Sequence, residues 1–178
     1  MKTQELQIKG VYLISNFFQE DKRGFFVKTF SNINEILKGL SFEINEIYYS
    51  QSKKNVIRGM HFQRPPMDHT KLIYLTSGKI TDVLLDLRKS SLSYKQYITI
   101  DLSAHKNALL IPPGIAHGFL CKENDTVVIY NQSSVYSKDH DEGIHWNSFG
   151  HDWGITNPIV SDRDNTFSLF SNFSTPFF

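Results

Sequence analysis

One cysteine in 178 residues leaves nothing for an intramolecular disulfide and nothing for a multi-cysteine zinc site. That residue, Cys121, ends the apolar string Gly118-Phe119-Leu120-Cys121, the setting of an inert buried thiol rather than of a nucleophile. An excess of either charge is also missing. With 19 basic and 18 acidic residues the formal charge is +1, which excludes the basic surplus of a general nucleic-acid binder but leaves room for a local basic pocket around one phosphorylated ligand. No apolar run approaches bilayer length, and Met1 to Gly10 is polar and lacks the apolar centre of a signal peptide. No membrane partner is therefore expected, and the expected location is the cytoplasm. No repeat, linker or low-complexity stretch divides the chain. Its length suits a single domain over 1–178, large enough to bury a core without staples.

What is present is a series of short strands broken by turn residues. Val11 to Ser15, Phe25 to Phe30, Ile44 to Ser50 and Val56 to Phe62 are rich in β-branched and aromatic side chains. Lys71 to Thr76, the small residues Ser77-Gly78, and Lys79 to Arg88 read as a hairpin. Tyr97 to Leu102, Ala108 to Ile111, Gly118 to Cys121 and Thr126 to Gln132 follow at similar spacing. Only Asn32 to Leu40 has helical periodicity, through Ile33, Ile36 and Leu37, with Ser31 as its N-cap. The pattern predicts an all-β protein, an antiparallel sandwich or barrel.

The strand Lys79 to Arg88 carries Thr81, Val83, Leu85 and Leu87 on one face, a packing face. The other alternates Ile80, Asp82, Leu84 and Asp86. Buried acids are costly unless paired, so this second face either lines a polar cavity or reaches solvent.

Polar groups concentrate beside turns in three places: Arg58-Gly59-Met60-His61-Phe62-Gln63, Pro112-Pro113-Gly114-Ile115-Ala116-His117-Gly118-Phe119, and Ser161-Asp162-Arg163-Asp164. Singly, His61 suits a structural histidine, Pro-Pro-Gly a tight turn and Asp164 a cap. Together, His, Lys, Tyr and Asp form a set able to take, deliver and orient protons on a scaffold suited to a small ligand.

These segments, with Asp21-Lys22-Arg23-Gly24-Phe25-Phe26, Asn55 to Gln63, Lys71-Leu72 and Asp82 to Arg88, run in the order of one family. From about Gly10 to Asp164 the chain resembles the dTDP-4-dehydrorhamnose 3,5-epimerases of bacterial deoxysugar pathways. The resemblance implies a cupin-like antiparallel β jelly roll with one or two short helices, a peripheral tail over about 165–178, a homodimer and no cofactor. It also implies a nucleotide-linked 4-keto-6-deoxysugar substrate. By the same resemblance His61 matches the base, Asp164 its carboxylate partner, Lys71 the cation near the keto oxygen and Tyr130 the proton donor on the opposite face. Arg23, Arg58, His117 and Arg163 match polar or basic positions around the nucleotide and pyrophosphate. Tyr136 matches the aromatic that stacks on the base, and Asp141 stands for a usual Glu. His117 and Asp82 form a second polar pair near the sugar, or Asp82 has a structural role of its own.

The departures from the family cluster. Lys28 replaces an acid, while Glu46 and Tyr48 replace a Gln and an Asn, all in the nucleotide-contact set. Lys28 and Glu46 read either as a charge exchange between neighbours or as independent drift. Thymidine is the expected base, with cytidine or another base as the alternative.

Competing classes are a metal-dependent cupin enzyme and a sugar-binding module without catalysis. The first usually needs His-x-His with a Glu and a further His. Here Phe62-Gln63 follow His61 and the next histidine is His69, so no metal site is expected. The second would not require a base and an opposed donor. Within the family, inversion at C3 alone or C5 alone is the remaining alternative.

Overall fold

The structure, a computed structural model, describes residues 1–31 and 42–178, and the expected helix at Asn32 to Leu40 lies outside them. The described residues form thirteen strands. In chain order these are β1 (Lys2–Glu5), β2 (Tyr12–Ser15), β3 (Phe17–Asp21), β4 (Gly24–Lys28), β5 (Glu46–Ser52), β6 (Ile57–Gln63) and β7 (Lys71–Ser77). Then come β8 (Lys79–Asp86), β9 (Tyr97–Ser103), β10 (Asn107–Ile111), β11 (Ile115–Cys121), β12 (Thr126–Gln132) and β13 (Asp141–Gly143). A short helix α1 (Asp162–Thr166) and a 3-10 turn (Phe170–Asn172) follow. Each strand read from the sequence is present within a few residues. The short β1, β3 and β13 had too little apolar alternation to be seen: every residue of β3 is exposed.

A six-stranded sheet, ordered β1-β2-β10-β7-β12-β5, packs against a five-stranded sheet ordered β13-β6-β11-β8-β9. All neighbours in both are antiparallel. This is a jelly-roll sandwich. Among the described residues a third sheet consists of β3 and β4.

The expected hairpin between β7 and β8 does not form. β7 pairs with β10 and β12, whereas β8 pairs with β11 and β9 in the other sheet. The turn therefore carries the chain across the sandwich, and Ile73 and Leu75 meet Ile80 and Leu84 within one interior cluster instead of edge to edge. Gly78 makes this corner possible, with φ +78 and the Thr126 side chain where a Cβ would stand.

Both faces of β8 are buried. Ile80 and Leu84 point into the sandwich, and so do Asp82 and Asp86, each 0% exposed. The solvated outer face allowed by the sequence is excluded. Val83, Leu85 and Leu87 face outward, where Ile144, Trp153 and Phe177 cover them. That cover corrects the expectation of a peripheral tail. Thr175 and Phe177 are each 5% exposed, and Thr175 Oγ1 donates to the Leu87 carbonyl at 2.6 Å. The aromatic-rich C-terminus supplies the second layer that an apolar outer face requires.

Candidate active site

Alternation along the central strands decides what enters the interior. On β12, Val128, Tyr130 and Gln132 share a face; on β5, Glu46, Tyr48 and Ser50 do. Of these, Tyr130, Gln132, Glu46, Tyr48 and Ser50, with His61 from β6, Lys71 from β7 and His117 from β11, line a cavity of about 470 Å³, closed at its rim by Tyr136, Asp141 and Arg163. Arg58 also lines it, its guanidinium donating to Ser52 Oγ at 2.9 Å. Ten of the residues singled out from the sequence are thus brought together.

The His61 ring reaches the cavity from the five-stranded sheet, with Nε2 2.7 Å from Asp164 Oδ1. Asp164 lies behind it, its side chain only 4% exposed, and Oδ2 accepts the Gly59 amide at 3.1 Å. The sequence around Asp164 explains this placement. Ser161 caps the short α1, accepting the Asp164 amide, so consecutive side chains point apart: Asp164 inward to His61, Arg163 to Asp141 at 2.5 Å. Gly59 is needed where it stands, because a Cβ there would collide with the Gly118 backbone on β11.

Burial lowers the His61 pKa against the pull of the Asp164 hydrogen bond and charge, and Lys71 and Arg163 lower it further. Burial would raise the Asp164 carboxyl, but hydrogen bonds from His61, Gly59 and Ser161 hold it below the usual carboxylate range. Near neutral pH the pair is therefore a carboxylate and a neutral imidazole. The hydrogen sits on Nε2, facing Asp164, and Nδ1 keeps its lone pair.

Lys71 is 7% exposed, with Nζ 3.4 Å from the His61 carbonyl. Burial lowers its pKa to about 8, with Asp141 and Asp82 resisting. Tyr130, from the six-stranded sheet, shares a hydrogen bond with Ser50 Oγ at 3.2 Å, and burial raises its phenol above the ordinary range. His117 Nε2 lies 2.9 Å from Asp82 Oδ2, and both side chains are buried. The suspected second His–Asp pair is real. Burial raises the Asp82 carboxyl, while His117 and Lys71 favour its charged form.

Arg23 and Lys28 stand apart from the cavity on the β3–β4 hairpin. Arg23 pairs with Asp21 at 2.6 Å, and Lys28 faces Phe17. The charge exchange considered for Lys28 and Glu46 is not seen: the Glu46 carboxylate instead accepts the Tyr136 amide at 3.1 Å. Sequence reasoning gave no role to Ser50, Gln63, His69 and Gln132, which also line the cavity. Period-2 spacing from Tyr130 would have found Gln132, and pairing of β5 with β12 would have found Ser50. His69 carried no such signal. Phe167, also missed, meets the His61 ring edge-on at 5.8 Å. No group of three or more His, Cys, Asp or Glu placed to hold a metal ion occurs among the described residues.

A sequence profile of the dTDP-4-dehydrorhamnose 3,5-epimerase family matches residues 5–172. The chain belongs to this family. It is an isomerase of the epimerase type. The dTDP-4-dehydrorhamnose 3,5-epimerase of Shigella flexneri is 36% identical over 168 residues, covering 92% of this chain and 93% of the relative. The Bacillus anthracis epimerase, solved with TDP and pyrophosphate bound, superposes with a TM-score of 0.89 at 37% identity, over 94% of this chain and 98% of that one. The Legionella pneumophila epimerase, in complex with dTDP-4-keto-L-rhamnose, gives a TM-score of 0.92 at 26% identity, over 99% and 98%. The jelly roll expected from the resemblance is thus the fold of the epimerase family.

Proposed function

We propose that this epimerase, in the cytoplasm and without a cofactor, inverts C3, C5 or both of a dTDP-linked 4-keto-6-deoxyhexose for deoxysugar and surface-polysaccharide synthesis. The observation that carries the reading is the opposition of His61 and Tyr130 across one cavity, each from a different sheet. Inversion at carbon needs a base on one face and a proton donor on the other.

The C4 ketone acidifies the neighbouring C–H bonds. His61 Nδ1 takes the proton, and the C–H electron pair moves into the ring to give the C4 enolate. Asp164, across the Nε2 bond, stabilises the imidazolium that forms. The Lys71 ammonium compensates the enolate oxygen charge, an effect worth roughly 10²–10³ in rate. The Tyr130 hydroxyl then delivers a proton to the opposite face, the enolate carbonyl re-forms, and solvent reprotonates the phenolate and discharges His61. The His117–Asp82 pair sets a second fixed imidazole beside the sugar.

Arg58 and Arg163 suit the pyrophosphate, Tyr136 the base, and Glu46, Tyr48 and Asp141 the nucleoside side of the cavity. Among the described residues, Arg23 and Lys28 do not line the cavity of His61 and Tyr130 in their own protomer. The hairpin that carries them exposes Phe17, Phe18, Phe25 and Phe26, while β5 ends its sheet with Ile47 and Tyr49 outward, 63% and 70% exposed. An apolar hairpin and an apolar sheet edge are complementary surfaces. We therefore read a homodimer in which one protomer's hairpin brings Arg23 and Lys28 to the cavity of its partner.

Incubation with dTDP-4-dehydro-6-deoxyglucose in D₂O, followed by NMR, tests the reaction. Deuterium should enter at C3, C5 or both, with inversion at each exchanging carbon that turns over. Competition by dTDP, CDP, UDP and GDP tests the base, and dTDP should bind best. No exchange and no inversion would refute the reaction; equal binding of all four would refute the base alone.

A further inference from the structure

Tyr48 and Tyr130 are partners in the β5–β12 register, and their rings stack at 4.6 Å with only 15° between planes. Tyr48 is held from its far end as well, where its hydroxyl accepts a hydrogen bond from Gln132 Nε2 at 2.6 Å. Gln132 is two residues from Tyr130 on the same face of the same strand. The three side chains thus form a closed bracket: Gln132 fixes the Tyr48 hydroxyl, and the Tyr48 ring covers one face of Tyr130. Ser50, next on that face of β5, meets the Tyr130 hydroxyl at 3.2 Å. Tyr130 is left 7% exposed although Tyr48 itself is 42% exposed.

We propose that Tyr48 is a positioning residue that sets the direction of the Tyr130 hydroxyl by stacking on its ring. The inference rests on the proton-donor reading of Tyr130. A phenol that must hand its proton to one face of a flat enolate gains from a fixed ring, since a small rotation about χ1 moves the hydroxyl off the line of transfer. Offset stacking supplies that constraint without consuming the hydroxyl, which an additional hydrogen bond would do. Both phenols also remain protonated. Burial raises the Tyr48 pKa and the Glu46 and Asp141 carboxylates raise it further, while burial dominates at Tyr130.

The experiment compares Tyr48→Phe, which keeps the ring, with Tyr48→Leu, which keeps an apolar side chain but not the stack. Three quantities are read: KM, the rate of deuterium entry in D₂O, and the rate of net inversion. Because Tyr48 also lines the nucleoside side of the cavity, Tyr48→Leu should raise KM; at saturating substrate it should in addition slow inversion about tenfold relative to deuterium entry, the scale of one aromatic pair. Tyr48→Phe should restore the wild-type ratio of inversion to exchange. A parallel loss of both rates, or a rise in KM alone, would make Tyr48 a wall of the substrate pocket and overturn the proposal. A wild-type protein that neither exchanges nor inverts would instead sink the epimerase reading. A readout independent of substrate is the Tyr130 resonance in protein labelled with ¹³C at the phenol carbon, assigned through Tyr130→Phe. It should shift or broaden in Tyr48→Leu and stay in place in Tyr48→Phe; an unmoved resonance in Tyr48→Leu rejects the positioning role whatever the reaction.

Discussion

His61 and Asp164 stand 103 positions apart in the chain; in space 2.7 Å separates Nε2 of the one from Oδ1 of the other. The bond fixes which nitrogen is basic, and its removal should be felt twice. Asp164→Asn keeps the size of the side chain but loses the charge that supports the imidazolium. Turnover should fall by roughly 10²–10⁴, with deuterium entry falling in step because both begin with proton removal. The acidic limb of kcat/KM should also move to lower pH, since Asp164 is the group that raises the His61 pKa. Retained turnover with an unmoved limb would show that the carboxylate is structural. Circular dichroism separates that outcome from misfolding.

The pH profile has an upper limit as well. Burial lowers the Lys71 pKa to about 8, so the cation is present below that pH and lost above it. His61 must be neutral, and burial brings its pKa below the ordinary imidazole value of about 6.5. Profiles of kcat/KM, which report the free enzyme, should be flat from below the usual histidine range up to about 8 and then fall. Lys71→Arg keeps the charge at every accessible pH, so the alkaline limb should move upward even where turnover is reduced. A limb that stays near 8 in that variant would assign it to another group.

The strands were legible because β-branched and aromatic residues alternate, and so was the membership of Tyr130 and Tyr48 in strands that proved adjacent. The corner at Ser77-Gly78 was not. A small-residue turn between two apolar strands fits either a hairpin or a passage between sheets, and only the packing of Ile73 against Ile80 and Leu84 decides. Asp164 was found through its motif, whereas its partner His61 could be assigned to it only by the resemblance, since no local rule spans 103 residues. The Tyr48–Gln132 bond was invisible for the same reason. The C-terminal aromatics read as peripheral because a tail without periodicity gives no sign that an outer sheet face lacks cover; Phe177 provides it.

Donor and base should separate in a single variant. Tyr130→Phe leaves His61 and Asp164 untouched, so a proton can still be removed and returned on the same face. Deuterium entry should therefore survive better than inversion, with the ratio of exchange to inversion rising at least about tenfold if Tyr130 is the general acid. Equal loss of the two would place Tyr130 in enolate stabilisation or sugar positioning.

The remaining expectation concerns the hairpin of β3 and β4. Arg23 is exposed at its tip and paired with Asp21, and neither it nor Lys28 is among the residues that line the cavity of its own protomer. If the hairpin serves the neighbouring protomer, a working site takes His61 from one chain and Arg23 from the other. Arg23→Ala alone should then weaken substrate binding in every site, and His61→Ala alone should abolish turnover. Mixed after unfolding and refolding together, the two inactive or weakened proteins generate dimers in which one site has both native residues. Random pairing places such a site in half of the dimers, so about a quarter of the wild-type sites should return. The regained turnover should show the wild-type KM, because the native site is complete rather than partly repaired. Sedimentation should report a dimer throughout. Equal mixtures that show only the activity of diluted Arg23→Ala protein, at its raised KM, would mean that Arg23 acts within its own protomer or not at all. An Arg23→Ala variant with unchanged KM would remove the residue from the substrate-binding set altogether.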